Sequence, residues 1–150
     1  MEHTTFVLIK PDAMKLGLAD TILERFRQEG LTVLRSKKVR VEKEKILVHY
    51  EDVLARLNKD YLAQAILDEF LDQEVMILVL SEQDHDPITH VRTIIGATDP
   101  SKAEPSSLRG QFIHDTLEQS IIEKRWLRNL IHASDSPEAV VKETALWFDR

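Results

Sequence analysis

TTFVLIKPDAMKLG, residues 4–17, is the stretch whose reading decides the fold. Residues 4–9 are short and β-rich, and Lys10-Pro11-Asp12 closes them, because proline has no N–H to give to a continuing ladder. A flavodoxin-like parallel sheet would place a glycine-rich phosphate loop between its first strand and first helix. Residues 10–17 carry no such loop, which turns the reading toward an α+β sheet.

Outward from that turn, residues 19–29 form an amphipathic helix pattern in which Ile22, Leu23 and Phe26 share a face and Gly30 stops the helix. Residues 31–41 alternate loosely, as a long strand with a solvated face carrying Lys37 and Arg40 would. Residues 42–57 and 61–71 read as two helical segments broken near Asn58-Lys59-Asp60. Residues 75–80 are a short apolar run bounded by charge, the pattern of a fully buried strand. Asp86-Pro87 opens a helix through Ile95, and Gly96 ends it. Residues 97–111 read as loop. Residues 112–128 are ambiguous, with a possible helix at 116–125. Residues 129–133 are the last strand, and Ser136-Pro137-Glu138 starts a helix running to about Trp147. The order predicts an α+β, ferredoxin-like split βαβ fold: a four-stranded antiparallel sheet with helices packed on it.

A chain of 150 residues fits one domain with a real core. A formal charge of -6 argues against a nucleic-acid coat, which would want a basic surface, but not against small anions that feel a few local arginines. With no cysteine, disulfides and thiolate metal sites are excluded. The sequence shows no secretory pattern and no apolar run long enough for a bilayer, so no membrane partner and a cytoplasmic location are expected.

The residues with chemistry begin with His132, where the last strand meets a turn. Glu143 falls inside the apolar arc of the following helix, between Ala139, Leu146 and Trp147. A carboxylate there needs a partner, since burying it alone costs too much. Accepting a hydrogen bond from one ring nitrogen of His132 would fix the tautomer and free the other nitrogen to attack. On spacing alone this nucleophile and an ordinary core histidine stand even. Arg92 on its short helix and Arg109 in Ser-Ser-Leu-Arg-Gly, with Thr98, have the forked donors that suit phosphate oxygens. Solvated surface positions are the plainer reading of each arginine. Lys10 at a strand end, Tyr50 at a helix end and Asn129 in a turn have equally plain structural explanations. His3, His49, His85, His90 and His114 show no metal-ligand spacing with a supporting carboxylate, and there is no Gly-x-x-x-x-Gly-Lys-Ser/Thr loop.

Together these pieces resemble the nucleoside diphosphate kinase family. The segment TFVLIKPDAMKLGL resembles its N-terminal strand and turn, and His49-Tyr50 with Asp52 its helix-end motif. VRTIIGATDPSKAEPSSLRGQF resembles its nucleotide-facing segment, and NLIHASDSPEAVVKETALWF its active-site strand and following helix. The resemblance implies reversible ping-pong transfer of a γ-phosphoryl group from a nucleoside triphosphate to a nucleoside diphosphate through a phosphohistidine. His132 matches the nucleophile and Glu143 its orienting acid, with Ser134 in the same network. Lys10, Tyr50, Arg92, Thr98, Arg109 and Asn129 match the nucleotide-binding residues. Mg²⁺ is implied on the nucleotide phosphates, without direct protein ligands.

The sequence also departs from the family. The aromatic residue that stacks on the base has no clear match, and Tyr61 or Leu62 falls in its region, within a stretch about four residues longer than usual. Ser106 replaces a glycine, Gln111 an acid and Ala133 a common glycine. Before Asn129 there are roughly ten extra residues, an insertion at about 113–126 of a single domain spanning 1–150. The sequence ends at Arg150, without the tail many relatives pack on a neighbour, which leaves the family's usual hexamer open; a homo-oligomer built from dimers is expected. The alternative to an active kinase is a nucleotide-binding regulatory or interaction module without turnover. A protein-histidine phosphotransfer partner ranks last, since it would carry its histidine on a four-helix bundle.

Overall fold

The computed structural model describes residues 3–149. Four strands, β1 (His3–Ile9), β2 (Thr32–Arg40), β3 (Glu74–Glu82) and β4 (Ile131–Ala133), form one antiparallel sheet in the order β2-β3-β1-β4. β3 lies between β1 and β2, which is the split βαβ arrangement that the element order predicts. In β1, Phe6 faces Val79 of β3, while Leu8 faces His132 of β4. The histidine is thus carried on a strand clamped to the centre of the sheet.

Both faces of the sheet are covered, and the strands read as continuous apolar runs for that reason. Val7 and Ile9 pack with Ile22 and Phe26 of α2 (Ala19–Gln28), which follows the short α1 (Pro11–Lys15). On the opposite face Phe6 and Leu8 pack with Ile46 of α3 (Lys43–His49), which leads into α4 (Glu51–Leu57), and with Ile66 and Phe70 of α5 (Leu62–Phe70). Phe6, Val7, Leu8 and Ile9 are all fully buried. Each such side chain contributes about 1.5–3 kcal/mol. β2 is the exception: an edge strand, mostly exposed, with a register shift between Val33 and Arg35 and lysines along it, features that blunt edge-to-edge pairing.

Local chemistry sets the helix ends around the site. α6 (Pro87–Ile95) begins where the Asp86 side chain accepts the Ile88 N–H at 3.0 Å, with proline at the first helical position. Gly96 ends it at φ 97, and a β-carbon there would lie 2.4 Å from Ser107 Oγ. A 3-10 turn (Pro100–Lys102), α7 (Leu108–Phe112) and α8 (Leu117–Ile122) follow. In α9 (Pro137–Phe148), Ser136 caps the first turn by accepting the Ala139 N–H at 3.1 Å.

Four sequence expectations are corrected. The helical pattern 42–57 divides at Tyr50, whose backbone leaves the helical range, which adds a break to the expected one near Asn58. Asn58 still ends α4 in left-handed conformation at φ 47. The expected loop 97–111 holds the 3-10 turn and α7, because Ser107 accepts the Gly110 N–H at 3.1 Å and starts a helical turn. The buried strand extends past 75–80 to Glu74–Glu82, since both of its edges find partners. The last strand starts at Ile131 rather than at 129: Leu130 sits at φ 73, and the Ile131 N–H turns back to the Asn129 carbonyl at 2.9 Å. That is a γ-turn, a strained conformation for a leucine. Among the described residues no helix is long and apolar enough to cross a membrane.

Candidate active site

Glu143 occupies the place its helical phase predicts, buried on α9 behind His132. Its two carboxylate oxygens lie 3.0 and 3.1 Å from His132 Nε2, and Ser134 Oγ donates to Oε1 at 2.6 Å. An ionised carboxylate only accepts, so the His132 proton sits on Nε2 and the Nδ1 lone pair is free. The His132 side chain is 23% exposed, which leaves the ring accessible from the cleft in front of it.

That cleft has a volume of about 460 Å³. Lys10, Arg92, Thr98, Arg109, Asn129 and Tyr50 all line it, as do Tyr61 and Leu62. Every nucleotide-binding residue expected from the sequence therefore reaches one cavity, with His132 in its wall.

The cations are held by the backbone bends just described. Lys10 Nζ donates to the Leu127 carbonyl and to Asn129 Oδ1, each at 2.8 Å. Burial, only partly opposed by the Asp12 charge, lowers its pKa to about 8. Arg109 donates from Nε to the Asn129 carbonyl at 3.0 Å, from one terminal nitrogen to Gly96 at 3.0 Å and from the other to Ile131 at 2.6 Å. With five N–H groups, it keeps two for a ligand. Burial, and then the charge of Arg92, lower its pKa to about 10. Arg92 is exposed and makes a single bond, 3.2 Å to the Ala133 carbonyl. The γ-turn at Leu130 presents these carbonyls, and Asp12 Oδ2 accepts the Leu130 N–H at 2.9 Å to hold it. Asn129 Nδ2 donates to the Thr98 carbonyl at 3.0 Å, tying the loop after α6 to the same bend.

Sequence reasoning set His49 aside, and the structure corrects that. Its ring lies 4.4 Å from that of His132, nearly perpendicular to it, and potential ligand atoms of His49, His132 and Glu143 fall within 4.8 Å of one another. The spacing test failed because the contact joins distant parts of the chain. Trp147 Nε1 donates to His49 Nδ1 at 3.0 Å, which assigns the His49 proton to Nε2 and uses the lone pair a cation would need. Burial, and then the neighbouring imidazole, push the His49 pKa well down, so its ring is neutral. These three groups make a proton-locked cluster rather than a metal cage. Trp126, also missed, lines the cleft beside Tyr50.

An imidazole with one nitrogen locked, carried on a ferredoxin-like sheet and facing a lysine and two arginines, defines an α+β site built to handle anions. Comparison with known proteins narrows that class. The nucleoside diphosphate kinase family model matches residues 3–150. A nucleoside diphosphate kinase of Thermosynechococcus vestitus is 38% identical, over 96% of this chain and 85% of its own length. That of Methanocaldococcus jannaschii is 34% identical, over 99% and 94%. Among solved structures, a transition-state mimic of the Borrelia burgdorferi nucleoside diphosphate kinase with vanadate and ADP superposes with a TM-score of 0.90 at 26% identity, covering 98% of this chain and 87% of that one. The chain belongs to the nucleoside diphosphate kinase family, whose members are nucleotide phosphotransferases.

Proposed function

We propose that this chain, as a single domain, moves the γ-phosphoryl group of a nucleoside triphosphate reversibly to a nucleoside diphosphate through a phosphohistidine on His132. The observation that carries the reading is the His132–Glu143 contact, which locks Nε2 and leaves Nδ1 facing a cationic cleft. Nδ1 attacks the γ-phosphorus, the bond to the bridging oxygen breaks, and the nucleoside diphosphate leaves with that electron pair. The imidazole gains positive charge, which the Glu143 carboxylate stabilises through Nε2–H. A second diphosphate then reverses the step with its terminal oxygen. Lys10, Arg92 and Arg109 neutralise the phosphates, and positioning and charge stabilisation supply most of the rate for this chemistry. Tyr50, Thr98 and Asn129 hold the rest of the nucleotide, with Tyr61 and Leu62 toward the base.

Mg²⁺ fits the same reading. It prefers oxygen ligands, and the charged side chains lining the cleft are cationic apart from Asp135; Glu143, behind it, is already engaged. Bound through the nucleotide phosphates, with Asp135 as the nearby carboxylate in the cleft, the ion would supply charge neutralisation. A homo-oligomer built from dimers belongs to the proposal. So does a cytoplasmic setting, where nucleotides are held. The test is intact mass of purified protein mixed with Mg²⁺ and ATP, then with labelled GDP. An acid-labile adduct of one phosphoryl group that passes to GDP is expected; no adduct and no exchange would overturn the reading and leave a nucleotide-binding module.

The Lys10 environment adds a pH expectation. Raising pH through about 8 removes the ammonium charge in the free protein. Then kcat/KM falls by about tenfold per pH unit above that point. Lys10→Met starts lower and lacks this limb of the profile.

A further inference from the structure

The cleft has two chemically different ends. Around His132 it is cationic. Away from it the lining includes Leu57 of α4, Tyr61 and Leu62 at the start of α5, Leu117 and Ile121 of α8 and the Trp126 indole, with Arg56, Lys59 and Arg125 beside them. Leu117, Ile121 and Trp126 fall in or at the edge of the stretch read from the sequence as an insertion at about 113–126. We infer that residues 113–128 form the nucleobase wall of the cleft, with the Trp126 ring as the stacking face and Leu117 and Ile121 as its apolar edge. The inference rests on the nucleotide reading above.

Distance supports it. The Trp126 ring lies 4.8 Å from Tyr50, whose ring is 6.1 Å from that of His132, so a single side chain separates the indole from the phosphoryl-accepting imidazole. Exposure supports it independently. Leu57, Leu117 and Ile121 are 45%, 44% and 46% exposed although they line a concave surface. Apolar groups held in a wetted cleft gain when a flat apolar ring displaces the water. Continuity with the phosphate-binding end selects a nucleobase as that ring.

The wall is also pre-formed. Asp115 accepts two bonds from the Arg125 guanidinium at 2.7 Å each, one from the Arg128 N–H and one from the Thr116 N–H, both at 2.9 Å. Thr116 caps α8, and Arg128 pairs with Glu69 of α5 at 3.1 Å, fastening the segment to the opposite wall. A platform ordered in advance loses little on binding. Because it offers ring faces and aliphatic groups, it accepts every base, purines more strongly than pyrimidines by their larger area.

Intrinsic fluorescence tests this without turnover. Trp147 is 2% exposed and bonded to His49, so a ligand in the cleft reports through Trp126. ADP is expected to quench the wild-type protein, and inorganic pyrophosphate to leave the signal unchanged. Trp126→Ala should raise KM for ADP by about tenfold to a hundredfold, the range for loss of one stacked base, with kcat within about threefold. Trp126→Phe should restore most of the affinity. The exposed pair Leu117→Ser with Ile121→Ser leaves the core untouched and should raise KM severalfold, so it decides the matter if Trp126→Ala misfolds. Equal quenching by pyrophosphate, or an unchanged KM in the serine pair, would overturn the wall. Quenching by ADP in a protein that forms no phosphoenzyme would keep the wall and sink the kinase reading; turnover with unaltered KM in the variants would do the reverse.

Discussion

His132→Ala protein is expected to fold, to bind nucleotide and to move no phosphate. The ring is 23% exposed and stands at the middle of a three-residue strand facing the cleft, so its removal leaves the core intact. The cleft offers no substitute nucleophile in the neighbouring imidazole: His49 is neutral, buried and held by the Trp147 indole. Loss of a covalent nucleophile lowers turnover by roughly 10⁴-fold or more. Intact mass should show no adduct after ATP and Mg²⁺, while ADP binding stays within about threefold of wild type. An adduct in this variant would assign the phosphoryl group to another residue.

Arg109→Met should fail differently from Arg92→Met, although both remove a guanidinium from the same cleft. Arg109 satisfies three backbone carbonyls at 2.6–3.0 Å, two of them flanking the γ-turn; without it the Asn129 carbonyl keeps the Ile131 N–H, while those of Gly96 and Ile131 lose the Arg109 donor. Each unmade buried bond costs about 1–3 kcal/mol, so with two carbonyls losing the Arg109 donor the variant should lose about 2–6 kcal/mol of stability. That is a large share of the 5–15 kcal/mol typical of such domains. Arg92 makes one long bond from an exposed position, and Arg92→Met should stay within about 1 kcal/mol of wild type while losing activity. Urea denaturation followed by circular dichroism separates the two; equal stability would show that Arg109 does not brace the turn.

What was legible in the sequence was local. The Lys10-Pro11 turn, the helix stop at Gly96 and the Ser136-Pro137 cap each depend on a few adjacent residues. Glu143 could be placed inside because helical phase alone determines its direction. The gathering of Lys10, Tyr50, Arg92, Thr98, Arg109 and Asn129 around one cleft came from family resemblance rather than from any pattern, since their contacts join distant segments. His49 was passed over for the same reason: nothing in the residues around it announces that His132 will lie against it. The Leu130 bend was invisible because leucine carries no signal for a left-handed backbone. Ser107 looked like one more loop residue after Pro105, yet it starts α7 and sends Arg109 inward.

The bend at Leu130 has a consequence for how the molecule comes together. It is fastened by the Asp12 carboxylate and by the Lys10 N–H, which donates to the Leu130 carbonyl at 2.8 Å. Both anchors lie at the opposite end of the chain. The reactive strand therefore cannot take its working shape until the opening turn has docked beside it, and disturbing Asp12 should unsettle an imidazole it never touches. Competence for chemistry arrives late, as a property of the completed chain.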